Sequence, residues 1–198
     1  YYVIRMGAKV AKAMPISHPR VIDYASAGQD DFMNIYLGAH CAFCITSGTG
    51  PDAIPVIFRR PICYTNYVPL EYLQTYHRGS LAIWKHHEKD GKRMTPAEIY
   101  ESGAGHFMRA EQFAEAGITL VDNTPEEITA VAMEMAYYVE GIVPDITFKR
   151  INETYNADHA RQIAFWDKFP RSASTYNDKP LHGKINMRVG AEFLKGYQ

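Results

Sequence analysis

The sequence is short of most features that mark a specialised class. It holds three cysteines in 198 residues, Cys41, Cys44 and Cys63. So few, in an odd number and within or beside apolar runs, exclude a disulfide framework and fit a reducing compartment. Surplus charge is missing too. The 21 Lys plus Arg face 22 Asp plus Glu, a formal net charge of −1. The basic surface that nonspecific polyanion binding needs is absent, and nucleic acid is not an expected partner. No run approaches the roughly 18 apolar residues of a membrane-spanning helix. The apolar segment around Val131 is broken by Glu134 and Glu140, so a soluble chain without a transmembrane segment is expected. Internal repeats and low-complexity tracts are also lacking.

What is present is ordinary globular material, 46% hydrophobic and 22% charged, enough to bury a core and too apolar for wholesale disorder. The opening Tyr1-Tyr2-Val3-Ile4-Arg5-Met6 has neither an initiator Met nor a basic leader. It reads as an interior strand, and the chain is expected to be the C-terminal part of something longer.

Short β-rich runs alternate with helical patterns, the signature of a layered α/β domain. Strands are predicted over 2–6, 20–24, 42–46, 61–65, 81–84 and 118–121, most as near-continuous apolar runs that suit a parallel sheet covered on both faces. Thr124-Pro125-Glu126-Glu127 and Thr95-Pro96-Ala97-Glu98 supply an N-cap, a proline at the first helical position and a reciprocal Glu, so helices start there. Asp30-Asp31 is an acidic helix start rather than a metal motif, because adjacent helical side chains diverge by about 100°. Residues 1–150 are expected to form a Rossmann-like domain with a mainly parallel sheet, and 151–198 a helical extension. That extension holds an aromatic helix around 163–169, a polar loop near 172–179 and a last helix from about Lys184.

Several candidate chemistries resolve to structural readings. Cys41-x-x-Cys44 lacks both a loop signal and a second pair, so buried thiols are expected rather than a zinc or redox site. The segment 85–93, with adjacent His86 and His87, is expected to be a solvated loop or hairpin tip turning at Asp90-Gly91. His40, His77, His106 and His182 have no metal spacing and read as structural or surface histidines. No metal is predicted. Tyr64, Tyr67 and Tyr72 either stack on a base or sugar or pack in the core.

The richest stretch is Cys44-Ile45-Thr46-Ser47-Gly48-Thr49-Gly50-Pro51-Asp52. A buried strand enters a turn of small hydroxylated and glycine residues and opens a helix, which would present backbone N–H groups to an anion. Neither the Walker pattern nor the dinucleotide fingerprint is present, and the Gly-x-Ser-x-Gly elbow of a hydrolase is absent too. The turn is either a phosphate cradle or a plain strand-to-helix connection. The next strand leads to Asn66, the first to Arg5 and Gly7, and the second to Asp23. These strands are expected to share one parallel sheet, so their carboxyl ends offer an Arg, an Asp, the 47–50 turn and an Asn to one crevice, where ligands of such sheets collect. Arg5 then either pairs with a diphosphate or forms a salt bridge.

The runs Tyr2-Val3-Ile4-Arg5-Met6-Gly7, Ile22-Asp23-Tyr24, Asp31 to Leu37, Cys44 to Gly50 and Val56 to Leu70, with the tail from Leu181 to Leu194, resemble the C-terminal half of a family of bacterial glycosyltransferases found with surface-polysaccharide genes. The resemblance implies a GT-B-type enzyme whose C-terminal half binds a nucleoside-diphosphate sugar; the cysteine usage and the absent targeting signals point to a cytoplasmic location, the inner face of the membrane included. A glycan or lipid-linked acceptor and a partnering N-terminal domain are also implied. More remotely, Arg5 and Ser47 are similar to the donor diphosphate contacts of the α-1,6-fucosyltransferase type, with Gly48 and Thr49 as the cradle, although Met6-Gly7 follow the arginine here. The general base is expected on the N-terminal half, so this chain alone is expected to turn over nothing. A nucleotide-sugar epimerase or hydrolase and a non-catalytic binding module, docking through Phe165-Trp166 to Phe169, are the alternatives.

Overall fold

The apolar runs at 62–67 and 81–84 form the two central strands of a four-stranded parallel sheet. The computed structural model describes residues 1–7, 10–77, 79–141 and 187–197, and the backbone of 175–176 and 179–180. In chain order the strands of this sheet are β3 (Cys44–Thr46), β4 (Ile62–Tyr67), β5 (Leu81–Trp84) and β11 (Arg188–Val189), arranged β11-β5-β4-β3. Cys44 pairs with Ile62 and Thr46 with Tyr64, while Cys63 pairs with Leu81. All four residues of β5 and the first four of β4 are buried, as expected for strands covered on both faces.

Helix α5 (Pro125–Glu140) supplies much of that cover, packing on β4 and β5 with Val131 and Met135 buried. Its start is built as the sequence predicts. Thr124 accepts from the Glu127 amide, the Glu127 carboxylate accepts from the Thr124 amide, Pro125 occupies the first turn, and Gly141 closes the end at φ 62°. The final helix α6 (Ala191–Lys195) leans on α5, where Glu134 accepts the Ala191 amide at 2.8 Å. A strand at β11 was not expected. Of the predicted last helix, 187–190 is not helical and α6 starts at Ala191, because Met187 and Val189 are drawn into the core beside β5.

The expected strand order changes at both ends of the chain. After Lys85 the chain runs from β5 straight into β6 (His86–Lys89), which pairs antiparallel with β7 (Lys92–Arg93) and β8 (Ile118–Val121) in a second, three-stranded sheet. The 85–93 segment is therefore a hairpin, and its tip, 89–93, is solvated as expected. Asp90 and Gly91 turn it with φ 52° and 72°, the pair of positive values a two-residue hairpin turn requires, while His86 and His87 at its base are buried. Helices α3 (Pro96–Glu101) and α4 (Ala110–Glu115) connect it to β8. At the other end, β1 (Val3–Ile4) and β2 (Val21–Ile22) pair with each other and with no other strand among the described residues. Tyr1 meets Phe43 edge-on at 5.8 Å, which sets the beginning of β1 beside the approach to β3 without ladder bonds.

Helices α1 (Asp31–His40) and α2 (Ala53–Ile57) pack together. Asp30 caps α1 by accepting from the Met33 amide at 2.9 Å, and the contact depends on Gly38, where a Cβ would stand 2.7 Å from Ile54. The backbone at 175–176 and 179–180 forms a short antiparallel pair, β9 with β10. The predicted aromatic helix at 163–169 and His182 lie outside the described residues. The described molecule is mixed α/β with a parallel sheet flanked by helices, and no described helix is long and apolar enough to cross a membrane.

Candidate functional site

At the end of β3 the chain must reverse over the edge of the sheet, and the small residues at 46–50 allow it. Thr46 Oγ1 accepts the Gly48 amide at 3.1 Å. Gly48 sits at φ 85°, and a Cβ there would stand 2.4 Å from Cε2 of Tyr67. Glycine is required twice over, by the left-handed backbone and by the ring against it. Ser47, Gly48, Thr49 and Gly50 are all exposed, and the Thr49 amide finds no acceptor among the described residues. The helical segment beyond this turn is shorter than the sequence predicts, a 3₁₀ turn at Gly50–Asp52 and then the five residues of α2. A macrodipole needs aligned turns, so any attraction for an anion comes from the loop amides rather than from a helix end.

Asp52 lies inward of this turn. It is buried, and burial, outweighing a hydrogen bond from its own amide, raises its pKa above the ordinary range. The phenols of Tyr64 and Tyr67 are close enough for Asp52 to raise their pKa values in turn, after the larger effect of burial, that of Tyr67 to about 12. Both phenols serve as donors, Tyr67 to the Tyr72 carbonyl at 2.8 Å and Tyr64 to Gln74 Oε1 at 3.3 Å, where Tyr76 donates as well.

Asn66 occupies a different role from an open crevice residue. It adopts φ 52° where the β4–β5 register shifts, a conformation asparagine tolerates better than most side chains. Its amide donates to Asn123 Oδ1 and its own Oδ1 accepts the Asn123 amide, both at 2.6 Å, while Asn123 Nδ2 donates to the Trp84 carbonyl at 2.8 Å. This reciprocal clasp ties β4 and β5 to the start of α5.

Arg5 and Asp23 directly follow β1 and β2 of the separate pair, with Gly7 two residues beyond Arg5. Arg5 Nη1 donates to the Lys12 carbonyl at 2.8 Å and stands 3.4 Å from Asp23 Oδ2. The same oxygen accepts the Met14 amide and the Ser26 hydroxyl, each at 2.8 Å, and the Met14 bond first, with Ser26 and Arg5 behind it, holds the Asp23 carboxyl below its usual range. Gly7 takes φ 147° and its carbonyl accepts from Gln29 Nε2. Of the sequence-nominated residues, then, Ser47, Gly48, Thr49 and Gly50 form one exposed turn, Arg5 and Asp23 form one ion pair, and no hydrogen bond joins the two groups. The salt-bridge alternative for Arg5 is the one observed.

The thiols are structural in their setting. Cys44 is pushed up to about 12 and Cys63 higher still, both chiefly by burial, which suppresses thiolate chemistry. Sequence spacing also passed over a carboxylate and an imidazole 35 residues apart. Glu71, in the turn Leu70–Tyr72 after β4, lies 2.7 Å through Oε2 from His106 Nε2. Only the fold brings them together, and no periodicity could have signalled the pair. Compared with protein-family models, with curated proteins and with solved structures, the chain has no match.

Proposed function

We propose that the chain is the Rossmann-like, donor-binding half of a GT-B-type glycosyltransferase, working in the cytoplasm on a nucleoside-diphosphate sugar and a glycan or lipid-linked acceptor. The observation that carries this reading is the 47–50 turn. It is exposed at the carboxyl end of a parallel strand, its glycine is enforced by Tyr67, and the Thr49 amide is unclaimed. Amides fixed in that way stabilise charge developing on a departing diphosphate without reorganising. The hydroxyls of Ser47 and Thr49 add donors that need no cationic side chain. Arg5 then supports the fold of the β1–β2 pair rather than the phosphates.

Ligand binding raises apparent stability by mass action, about 2.7 kcal/mol at a hundredfold excess over Kd, or roughly 5 °C or more for a chain of this size. A thermal-shift panel of UDP, GDP and dTDP with their hexose conjugates tests the reading. One nucleotide is expected to produce a selective rise, reduced in Ser47→Ala. No rise with any of them overturns it. Release of epimerised or free sugar from donor alone would favour the epimerase or hydrolase of similar architecture. A binding or assembly module is favoured by one specific observation, the exposure of Phe32, Ile35 and Tyr36 on α1, since contiguous apolar surface marks interaction sites.

A further inference from the structure

The Glu71–His106 pair is built into the fold rather than resting on its surface. The Glu71 side chain is only 3% exposed. A Cβ at Gly105 would lie 2.7 Å from its Oε1, so the turn Ala104–His106 closes over the carboxylate only because residue 105 has no side chain. A carboxylate withdrawn from water costs several kcal/mol unless it is paired, and His106 Nε2 at 2.7 Å provides a partner. The imidazole itself stays 42% exposed and makes no other hydrogen bond among the described residues. With Nε2–H given to Glu71, the lone pair sits on Nδ1, the nitrogen left open.

A chain of contacts leads from this imidazole to the 47–50 turn. Tyr72, next to Glu71 in the chain, sets its ring edge-on to His106 at 6.3 Å. The Tyr72 carbonyl accepts from Tyr67 Oη at 2.8 Å, and Tyr67 is the ring against which Gly48 is pressed. Two tyrosines therefore connect the exposed turn after β3 to an exposed imidazole backed by a buried carboxylate, all beyond the carboxyl ends of β3 and β4.

We propose that His106, positioned by Glu71, is the catalytic proton acceptor of this site. The inference rests on the donor reading above and replaces the expectation that the base lies outside this chain. The acceptor hydroxyl gives its proton to His106 Nδ1 as its oxygen bonds to the anomeric carbon. The bond from that carbon to the diphosphate breaks, and its electron pair leaves with the diphosphate at the 47–50 turn. Glu71, held against Nε2–H, stabilises the imidazolium, as carboxylates behind catalytic histidines do. The proton returns to solvent afterwards.

Donor consumption by the chain, with water as acceptor, is measured against the UDP, GDP and dTDP hexoses beside their thermal shifts. His106→Asn is expected to keep the shift and lose about 10²-fold or more in rate, the usual worth of a general base. Glu71→Gln is expected to lose roughly 10-fold or more and to displace the imidazole limb of the pH–rate profile, which a merely structural glutamate would not do. A His106→Asn rate within twofold of wild type overturns the proposal, and so does a wild-type chain that binds donor without consuming it. If no nucleotide binds, the donor reading fails, and nitrogen NMR decides the dyad separately. A neutral His106 with its proton on Nε2, lost as a single tautomer in Glu71→Gln, upholds the dyad; a proton on Nδ1 overturns it.

Discussion

The β4–β5 centre and the β1–β2 pair begin from the same kind of sequence, short runs of Val, Ile and aromatic residues, and end in opposite surroundings. Ile62, Cys63, Ile83 and Trp84 are wholly buried, whereas Val3 is 56% exposed and Ile22 43%. The centre is held by apolar contact on both faces. The pair is held by polar geometry, with one Asp23 oxygen collecting Arg5, Met14 and Ser26. An apolar run therefore encodes a strand, while coverage depends on what the rest of the chain brings over it.

The largest expected effect is a cavity in the centre. Ile83 is wholly enclosed and in reach of Gly190, where a Cβ would stand 3.1 Å from its Cγ2. Ile83→Ala is expected to cost about 3–4 kcal/mol in denaturant unfolding, the sum of lost transfer energy and a void the packed sheet cannot close. The same truncation at Val3 is expected to cost less than about 0.5 kcal/mol. Equal losses at the two positions would erase the contrast between the regions.

The boundary between them also separates what was legible in the sequence from what was not. Strands 81–84 and 118–121 and the starts of α3 and α5 can be read directly, because burial and capping are local and leave their residues adjacent in the chain. The departures all depend on distant partners. β8 carries a strand signal but joins an antiparallel sheet, since β6 continues directly from β5 and reaches it first. Asn66 is visible as a strand end, yet its clasp needs Asn123, 57 residues away. The 47–50 turn is legible because its chemistry lies in consecutive residues, whereas Glu71 and His106 meet only through two separate turns.

Acid is expected to reach the centre before the periphery. His87 on β6 donates Nδ1–H to the Lys85 carbonyl at 2.9 Å, and its Nε2 is buried with no hydrogen-bond partner among the described residues. Burial, foremost, pushes its pKa below 6.5, outweighing the bond to Lys85. His77 is lowered by burial in the same sense. As pH falls through the ordinary histidine value, the unfolded chain takes up protons that the folded chain refuses, so global stability falls with it. Asp23 behaves in the opposite sense. Its depressed carboxyl keeps the contribution intact above its ordinary value of 3.8 and loses it only as pH falls through the folded value. Unfolding midpoints are expected to decline from about pH 6.5 downward, with a shallower slope in His87→Asn, which keeps a donor and cannot titrate. Exchange of the Met14 amide is expected to rise only below the ordinary carboxylate range. Loss of Met14 protection together with the global decline near pH 6 would show that the two regions open as one.

The smallest expected effect sharpens the comparison most, because it concerns an apolar side chain for which the folded chain has little use. Phe32 on α1 is 70% exposed and stacks only on Tyr36, with ring centroids 5.9 Å apart. Burial energy follows the area withdrawn from water, and little has been withdrawn here. An intrahelical pair at this spacing is worth about 0.2–0.5 kcal/mol, and serine and phenylalanine have similar helix propensities. Phe32→Ser is therefore expected to change unfolding free energy by about 0.5 kcal/mol or less and to improve solubility at high protein concentration. A loss above about 1.5 kcal/mol would mean that this ring is covered in solution, and the α1 face would then belong with the buried centre rather than with the β1–β2 pair.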